Sequence, residues 1–444
     1  MDEAKRPSRR DFLKGSTAAV AGTTLIGGLN IARTAHAQGN DVIKVALIGA
    51  GGRGTGAVAQ QMNADKNVKL IAVADAFENR ATGSINNLKK QYGDQVDVPQ
   101  DRIFLGLDAY KQAIATDCDL VVMATPPGFR PTHYAAAIEA GKNVFMEKPC
   151  CVDAPGYLKL LKASKMADEK NLLVGVGLQR RHETQYIETM KRIHDGAIGK
   201  VLFTRVYWNG GGIWNRGREE GMTEIQYQVH NWYHFNWVSG DNIAEQHIHN
   251  LDIGNWIMGD QHPVEANGMG GCTARYLGNN KGTGQIFDHH FVEYTYADGS
   301  KMYSQCRHMK NCFNAVTEAA HGTKGAMPGC GTLQIDGQDD WRFRERGVGG
   351  HQQEQTDLIA TLRAGERYNE GFYGANSSLT AVLGCMANYS GKVVKWDDLV
   401  AKGASKMPEG TLSWDTPAPV EKDANGDYPI PMPGMFDPYT QSYT

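Results

Sequence analysis

Apolar residues along the first part of the chain fall into short, nearly continuous runs separated by stretches with helical spacing. Val42–Ile48 ends in a glycine cluster, Val68–Ala74 ends at Asp75, and Leu120–Ala124 runs into Thr125-Pro126-Pro127. Val144–Met146 is closed by Glu147-Lys148-Pro149, and Leu172–Gly177 follows as the last such run. Runs of this length without polar alternation predict strands buried on both faces, as in a parallel sheet. Thr132–Ala140, stopped by Gly141, is one of the helices expected between them. Strands alternating with helices predict an α/β fold with a doubly wound parallel sheet over residues 41–178.

Beyond residue 180 the texture changes. Val201–Trp208, His289–Tyr296 and Lys301–Arg307 cluster or alternate β-branched and aromatic residues, and Asp298-Gly299 is a hairpin-turn signal between the last two. This predicts a second, α+β domain over 179–404 with a largely antiparallel, open sheet. Helices are expected at Ala244–Met258 and Ser377–Lys392. Residues 405–444, rich in Pro, Gly and Asp, read as a tail that wraps the surface or meets a neighbouring subunit.

The first 37 residues stand apart from this pattern. Ser8-Arg9-Arg10-Asp11-Phe12-Leu13-Lys14 precedes a weakly apolar run, Gly15–Ile31, and then Ala35-His36-Ala37. A charged start, an apolar middle and a small-x-small cleavage site make a twin-arginine signal peptide, removed on export to the periplasm or its equivalent. The run is too weakly apolar for a membrane span. Its removal takes away six basic and three acidic residues, so the net charge of −3 becomes −6. An acidic mature chain offers no basic footprint for nucleic acid. The eight cysteines form no CxxC pair, and their spacing fixes no disulfide.

Chemistry first appears at Gly49-Ala50-Gly51-Gly52-Arg53-Gly54, a GxGxxG directly after a predicted strand. Gly49 permits the tight turn, Gly51 lets backbone approach a pyrophosphate, and Gly54 allows close helix–strand packing. The following helix offers its N–H groups to phosphate, with Gly52 and Arg53 in its first turn. Asp75 stands 24 residues after Gly51, at the end of the next strand, placed to accept hydrogen bonds from an adenosine ribose. This is the fingerprint of a Rossmann dinucleotide site. The acid favours NAD, while Arg53 and Arg80 keep NADP open.

With this fingerprint, Thr125-Pro126, His133 and Glu147-Lys148-Pro149 in order, the chain resembles the Gfo/Idh/MocA oxidoreductase family over about residues 41–400. The resemblance implies a Rossmann domain followed by a domain whose open sheet mediates homo-oligomers. It implies that Lys148 hydrogen-bonds a substrate hydroxyl and that Thr125, Pro126, His133 and Glu147 belong to the cofactor side. Family members carry an Asp and, four residues later, a His on one helix. Here Glu245 and His249 take those places, one turn apart, with one methylene added at the acid.

Oxidising a secondary alcohol needs a base for the hydroxyl proton. His249 titrates near neutrality, and Lys148 can stabilise the developing alkoxide. The competing readings are a solvated Lys148, a core His249 and a Glu245 that serves only as an ion-pair partner. A density of Trp and His between 208 and 256 suits a sugar ring, although most of these aromatics individually read as core. Arg181, Trp232 and Asp252 are taken as substrate contacts. No metal is expected, since the histidines lack the partners of a ligand set. The expected function is hydride transfer between a sugar, glycoside or polyol hydroxyl and a tightly held NAD. Two alternatives stand beside it: an NAD-dependent glycosidase that oxidises transiently, and an exported sugar-binding protein without turnover.

Overall fold

The computed structural model describes residues 41–273 and 282–442; the signal peptide at 1–37 and the last two residues of the tail lie outside them. The first sheet contains β1 (Ile43–Ile48), β2 (Val68–Asp75), β3 (Ile103–Leu105), β4 (Leu120–Met123), β5 (Asn143–Met146) and β6 (Val174–Val176). Its order is β3-β2-β1-β4-β5-β6, parallel throughout. The continuous apolar runs have a direct cause here, because successive residues of one strand enter different cores. Ala46 and Ile48 pack with Tyr134, Ile138 and Leu160 on one face. Val45 and Leu47 pack with Val58, Met62 and Leu88 on the other. The strand order reverses between β1 and β4, which opens a crevice at their carboxyl ends.

The second sheet contains β7 (Val201–Gly210), β8 (Glu265–Gly271), β9 (His289–Thr295), β10 (Lys301–His308), β11 (Ala315–Gly322), β12 (Gly325–Gly329), β13 (Thr332–Ile335), β14 (Trp341–Arg342) and β15 (Val394–Lys395). The order is β14-β13-β12-β11-β7-β10-β9-β8-β15. All pairs are antiparallel except β7 with β10. β9 and β10 are joined through the Asp298-Gly299 turn, where Gly299 takes a φ of +86°. One face buries Val206, Val292, Tyr294 and Met302 under helices, and the opposite face leaves Phe291 and Met269 exposed.

The helix Gly371–Ser390, nearly all buried, packs against β8, β9 and the helix Ala154–Glu169, tying the two sheets together. The helix Gly350–Arg363 returns to the first sheet, placing Leu358, Ile359 and Leu362 in its core.

Three elements differ from the sequence reading. β3 was not among the apolar runs, because it has three residues and none is buried. The C-terminal helix starts at Gly371, not Ser377, through glycine and aromatic positions with little helical signal. The expected helix Ala244–Met258 is two helices, Asn242–Glu245 and Ile248–Ile257. At the break, His247 N–H donates to the Asn242 carbonyl and His249 N–H to that of Gln246, so i→i−4 bonding lapses. The His247 ring is anchored to Ser304 on β10 at 2.7 Å, and the Asn242 amide donates to the Phe287 carbonyl. Tertiary bonds override the helical pattern there. Among the described residues no disulfide joins the cysteines.

Candidate functional site

A cavity of about 380 Å³ opens over the carboxyl ends of β1, β2 and β4. Gly49, Gly51, Gly52, Arg53, Asp75, Thr125, Pro126 and His133 all line it. Gly49 adopts a φ of +92°, and a Cβ there would meet Thr125 N at 2.5 Å. A Cβ at Gly54 would lie 2.9 Å from Leu47 Cδ1 and closer still to the Gly49 carbonyl, so this glycine sets the helix–strand approach from behind the wall. Gly51 and Gly52 differ, because a Cβ on either meets nothing within 4 Å and would project into open space. The helix Gly52–Ala64 begins there without a side-chain cap, leaving its first N–H groups for an anion. Asp75 accepts from Ala50 N–H at 2.7 Å and Phe77 N–H at 2.9 Å, while burial pushes its pKa up. Open space at the glycine turn, a free helix start and a carboxylate at the end of β2 fit a dinucleotide.

At the inner end, Arg53 donates to Glu147 through Nε (2.9 Å) and a terminal nitrogen (2.6 Å), with Glu354 3.6 Å away. His133 stacks on Tyr110 at 4.1 Å and lies 3.2 Å from the Thr125 hydroxyl. Burial, reinforced by Arg130, pushes the His133 pKa down to about 3, so the ring is neutral. Arg130 is wholly buried and donates to the carbonyls of Thr125 and Pro149, bracing both loops of the site. Nothing in the sequence marked it, since an arginine in the first turn of a helix ordinarily faces solvent.

The outer wall comes from the second half of the chain. Trp214, Arg216, Val229, His230 and Trp232 close over the cavity. Trp232 therefore sits on the cavity wall, with Trp214 at 5.6 Å. The tail holds this roof. Gln228 donates to the Val420 carbonyl at 2.5 Å, Tyr428 to Glu224 at 2.5 Å and Thr223 to the Trp414 carbonyl at 3.0 Å. The Trp414 ring packs on Phe77, two residues past Asp75.

Lys148 and Glu245 meet beyond Glu147, and His249 lies within the electrostatic reach of Lys148. The Lys148 ammonium donates to the Glu245 backbone carbonyl and lies 3.9 Å from its carboxylate. Burial pushes the Glu245 pKa up to about 7 against the pull of Lys148 and Arg130, and its Oε1 has no hydrogen-bond partner. His249 stacks beside Trp208 at 5.9 Å with Nδ1 unpartnered. Burial, then Lys148, holds its pKa well below the ordinary value, so the ring is neutral and does not titrate near neutrality as its residue type suggested. The break at residues 246–247 separates Glu245 from His249 along the helix axis, yet both still accompany Lys148.

Arg181 and Asp252 are brought together, and with each other. Arg181 donates from Nε and a terminal nitrogen to Asp252 at 2.9 and 2.8 Å, and also to Asp260 at 2.8 Å. Tyr373 covers its guanidinium at 3.9 Å, and Ser377 donates to Asp252 at 2.8 Å. The histidines outside the Lys148 cluster have separate partners: His234 the Trp214 carbonyl, His247 Ser304, and His230 Glu219 at 3.8 Å. Among the described residues no three His, Cys, Asp or Glu side chains gather as metal ligands, and no helix is long and apolar enough to cross a membrane.

Residues 43–178 match the Gfo/Idh/MocA oxidoreductase family with its NAD-binding Rossmann fold, and residues 6–25 match the twin-arginine translocation signal, which directs export. Inositol 2-dehydrogenase 4 of Saccharopolyspora erythraea is 32% identical over 163 residues, covering 37% of this chain and 44% of that protein. Inositol 2-dehydrogenase of Rhizobium meliloti is 27% identical over 288 residues, 64% of this chain and 74% of its own length. The aldose-aldose oxidoreductase of Caulobacter crescentus, solved with glycerol, superposes with a TM-score of 0.62 at 17% identity, over 80% of this chain and 99% of that one. The chain thus spans less than half the length of the first of these relatives, and the solved structure shows the likeness of fold. Residues 43–178, with the glycine turn and Asp75 around one cavity, are thus the part of the chain that matches the Gfo/Idh/MocA oxidoreductase family.

Proposed function

We propose that the exported protein oxidises a secondary alcohol of a sugar, glycoside or polyol with NAD. The observation that carries this reading is the buried Lys148–Glu245–His249 cluster, whose Glu245 Oε1 and His249 Nδ1 have no partner in the protein. Buried polar atoms are ordinarily satisfied, so orphaned ones facing a lysine mark a place for a ligand's hydroxyls. Glu147, next in sequence to Lys148, joins this cluster to the cavity through its pair with Arg53. Gly49, Gly51, Gly52, Arg53, Asp75, Thr125 and Pro126 would hold the dinucleotide, which supplies the hydride acceptor. His249, neutral, takes the hydroxyl proton as base, Lys148 steadies the developing alkoxide, and Glu245 orients Lys148. The inositol and aldose specificities named for the relatives support the substrate class. Arg181 and Asp252 hold the helix that carries His249, and Trp232 packs beside the cofactor.

The roof over the cavity supports a retained cofactor. A retained cofactor favours, as second reading, a cycle that returns the hydride to the substrate or to a second sugar, as in transient oxidation followed by elimination. A sugar-binding protein without turnover would have no use for a neutral histidine beside a lysine. The exposed sheet face, with Phe291 and Met269 uncovered, is the surface we assign to a homo-oligomer. We assign 41–178 to dinucleotide binding, 179–404 to substrate and assembly, and 405–444 to the strap.

The test is direct. Mature protein purified without added cofactor is denatured and the released dinucleotide is quantified; polyols and glycosides are then supplied to intact protein while nicotinamide absorbance and product are followed. Near-stoichiometric NAD(H) and turnover of a polyol support the proposal. Release of a glycoside's aglycone with no net reduction supports the cycle. Absence of bound and added dinucleotide alike from the protein overturns both.

A further inference from the structure

Behind the inner end of the cavity, two buried carboxyl groups share one guanidinium. Arg53 gives Nε and a terminal nitrogen to Glu147, and that same terminal nitrogen stands 3.6 Å from Glu354. Glu354 comes from the helix Gly350–Arg363 and is 2% exposed; Glu147 is 4% exposed. Glu354 Oε1 accepts one long bond, at 3.5 Å, from the Gln355 amide, and its Oε2 has no partner. An ionised carboxylate buried this way would keep unspent lone pairs. A carboxyl that carries its own proton fits the surroundings better.

The charged groups around Glu354 agree. Burial, then Glu147, pushes its pKa well above the ordinary range; Glu370 adds to this, while Arg53 and His182 oppose it. Against burial, Arg53 and Lys148 hold the Glu147 pKa down. His182 is spent on Asp357 at 2.8 Å and Glu370 at 3.1 Å. The pair therefore holds one proton, and Glu354 carries it. His351 gives that proton a way out. Its Nδ1 is turned inward, 3.5 Å from Glu354, while the side chain as a whole is 43% exposed. Burial, then Arg53, lowers the His351 pKa, so the ring is neutral and can pass a proton either way.

A dinucleotide with its ribose at Asp75 and its pyrophosphate at the glycine turn would bring its nicotinamide toward this end. That ring is a cation when oxidised and neutral when reduced. A positive charge near a buried carboxyl favours loss of its proton, and removing the charge favours its return. We infer that Glu354 trades its proton against the charge of the nicotinamide, releasing it to the oxidised dinucleotide's field and regaining it on reduction. The oxidation then balances inside the site. The carbon's hydride goes to the dinucleotide, a C=O bond forms, and the hydroxyl proton leaving His249 is matched by the one Glu354 regains. Glu354 stands behind the cavity wall and acts through Arg53 and Glu147, as a positioning residue. The inference rests on the dinucleotide reading proposed above.

Mature protein freed of nucleotide with charcoal is titrated calorimetrically with NAD⁺ and with NADH, in buffers of different ionisation enthalpy that count the protons exchanged. The pyrophosphate is common to both ligands, so the difference isolates the ring. NAD⁺ should release about half a proton or more beyond NADH near neutral pH. The NAD⁺/NADH affinity ratio should rise with pH, by up to about tenfold per unit. Glu354→Gln should bind both dinucleotides with that difference abolished and the ratio flat. Glu245→Gln should keep the difference, because Glu245 meets Lys148 rather than Arg53, and it decides the matter if Glu354→Gln does not fold. Equal proton counts in wild type, a difference that survives Glu354→Gln, or one that vanishes in Glu245→Gln overturns the inference and leaves the oxidoreductase reading standing. Failure of wild type to bind either dinucleotide overturns both.

Discussion

Two buried ionic clusters flank the helix Ile248–Ile257, and they use the same chemistry to opposite ends. In the Arg181–Asp252 cluster the cation is fully partnered: the guanidinium meets two carboxylates, an aromatic face covers it, and Ser377 takes up another lone pair. In the Lys148–Glu245–His249 cluster the ammonium touches a carbonyl, the carboxylate stands 3.9 Å off, and two polar atoms have no partner. A satisfied cluster fixes a conformation. An unsatisfied one holds free energy that a ligand can release. The contrast separates residues that position the site from residues that would act in it.

The sharpest way to break this contrast is to remove His249. His249→Ala should cut turnover by about 10²–10⁴-fold while the protein keeps its dinucleotide and its melting temperature nearly unchanged. Full turnover in that variant would place the base elsewhere. Asp252→Ala acts on the opposite cluster and should lower unfolding stability by about 3–5 kcal/mol in denaturant titrations, because it strips a buried guanidinium of its main partner. A stable Asp252→Ala protein would mean that Asp260 alone suffices.

A smaller effect concerns pH. Folded Glu245 keeps its proton up to about pH 7, whereas an ordinary glutamate loses it near 4.5. Between those values the folded state binds more protons, so this group's contribution to stability falls as pH rises from 4.5 through 7. Glu245→Gln should flatten that slope in melting curves taken across the window. A slope unchanged by the substitution would show Glu245 ionised throughout. The smallest expected change comes from Tyr428→Phe, which removes the hydroxyl that donates to Glu224 and accepts from Arg218. It should cost about 1 kcal/mol and speed dinucleotide release; unaltered release would separate the tail from cofactor retention.

Much of the first sheet was legible in the sequence because burial on both faces leaves unbroken apolar runs, and the glycine turn leaves a fixed spacing. β3 was not, being too short and too exposed to show a pattern. In the site, Gly49, Gly51 and Asp75 were readable because local backbone geometry demands them in order, whereas Thr125 came with the resemblance. Lys148, Glu245 and His249 were found through resemblance, since the meeting of Lys148 with Glu245 depends on a contact across about 100 residues that spacing does not encode. Arg130 left no trace, because only tertiary packing turns a surface-type side chain inward. Arg181 and Trp232 were recognised as notable, yet sequence held no information on which of several polar and aromatic partners each would meet.

The strap of residues 405–442 sets an order of events. The residues that clamp the roof, Trp414, Val420 and Tyr428, emerge from the ribosome after every segment they hold. Until then the cavity between Asp75 and Trp214 lacks these three holds on its roof. The export signal stands at the opposite end of the chain from the strap, so its removal leaves the holds on the roof in place.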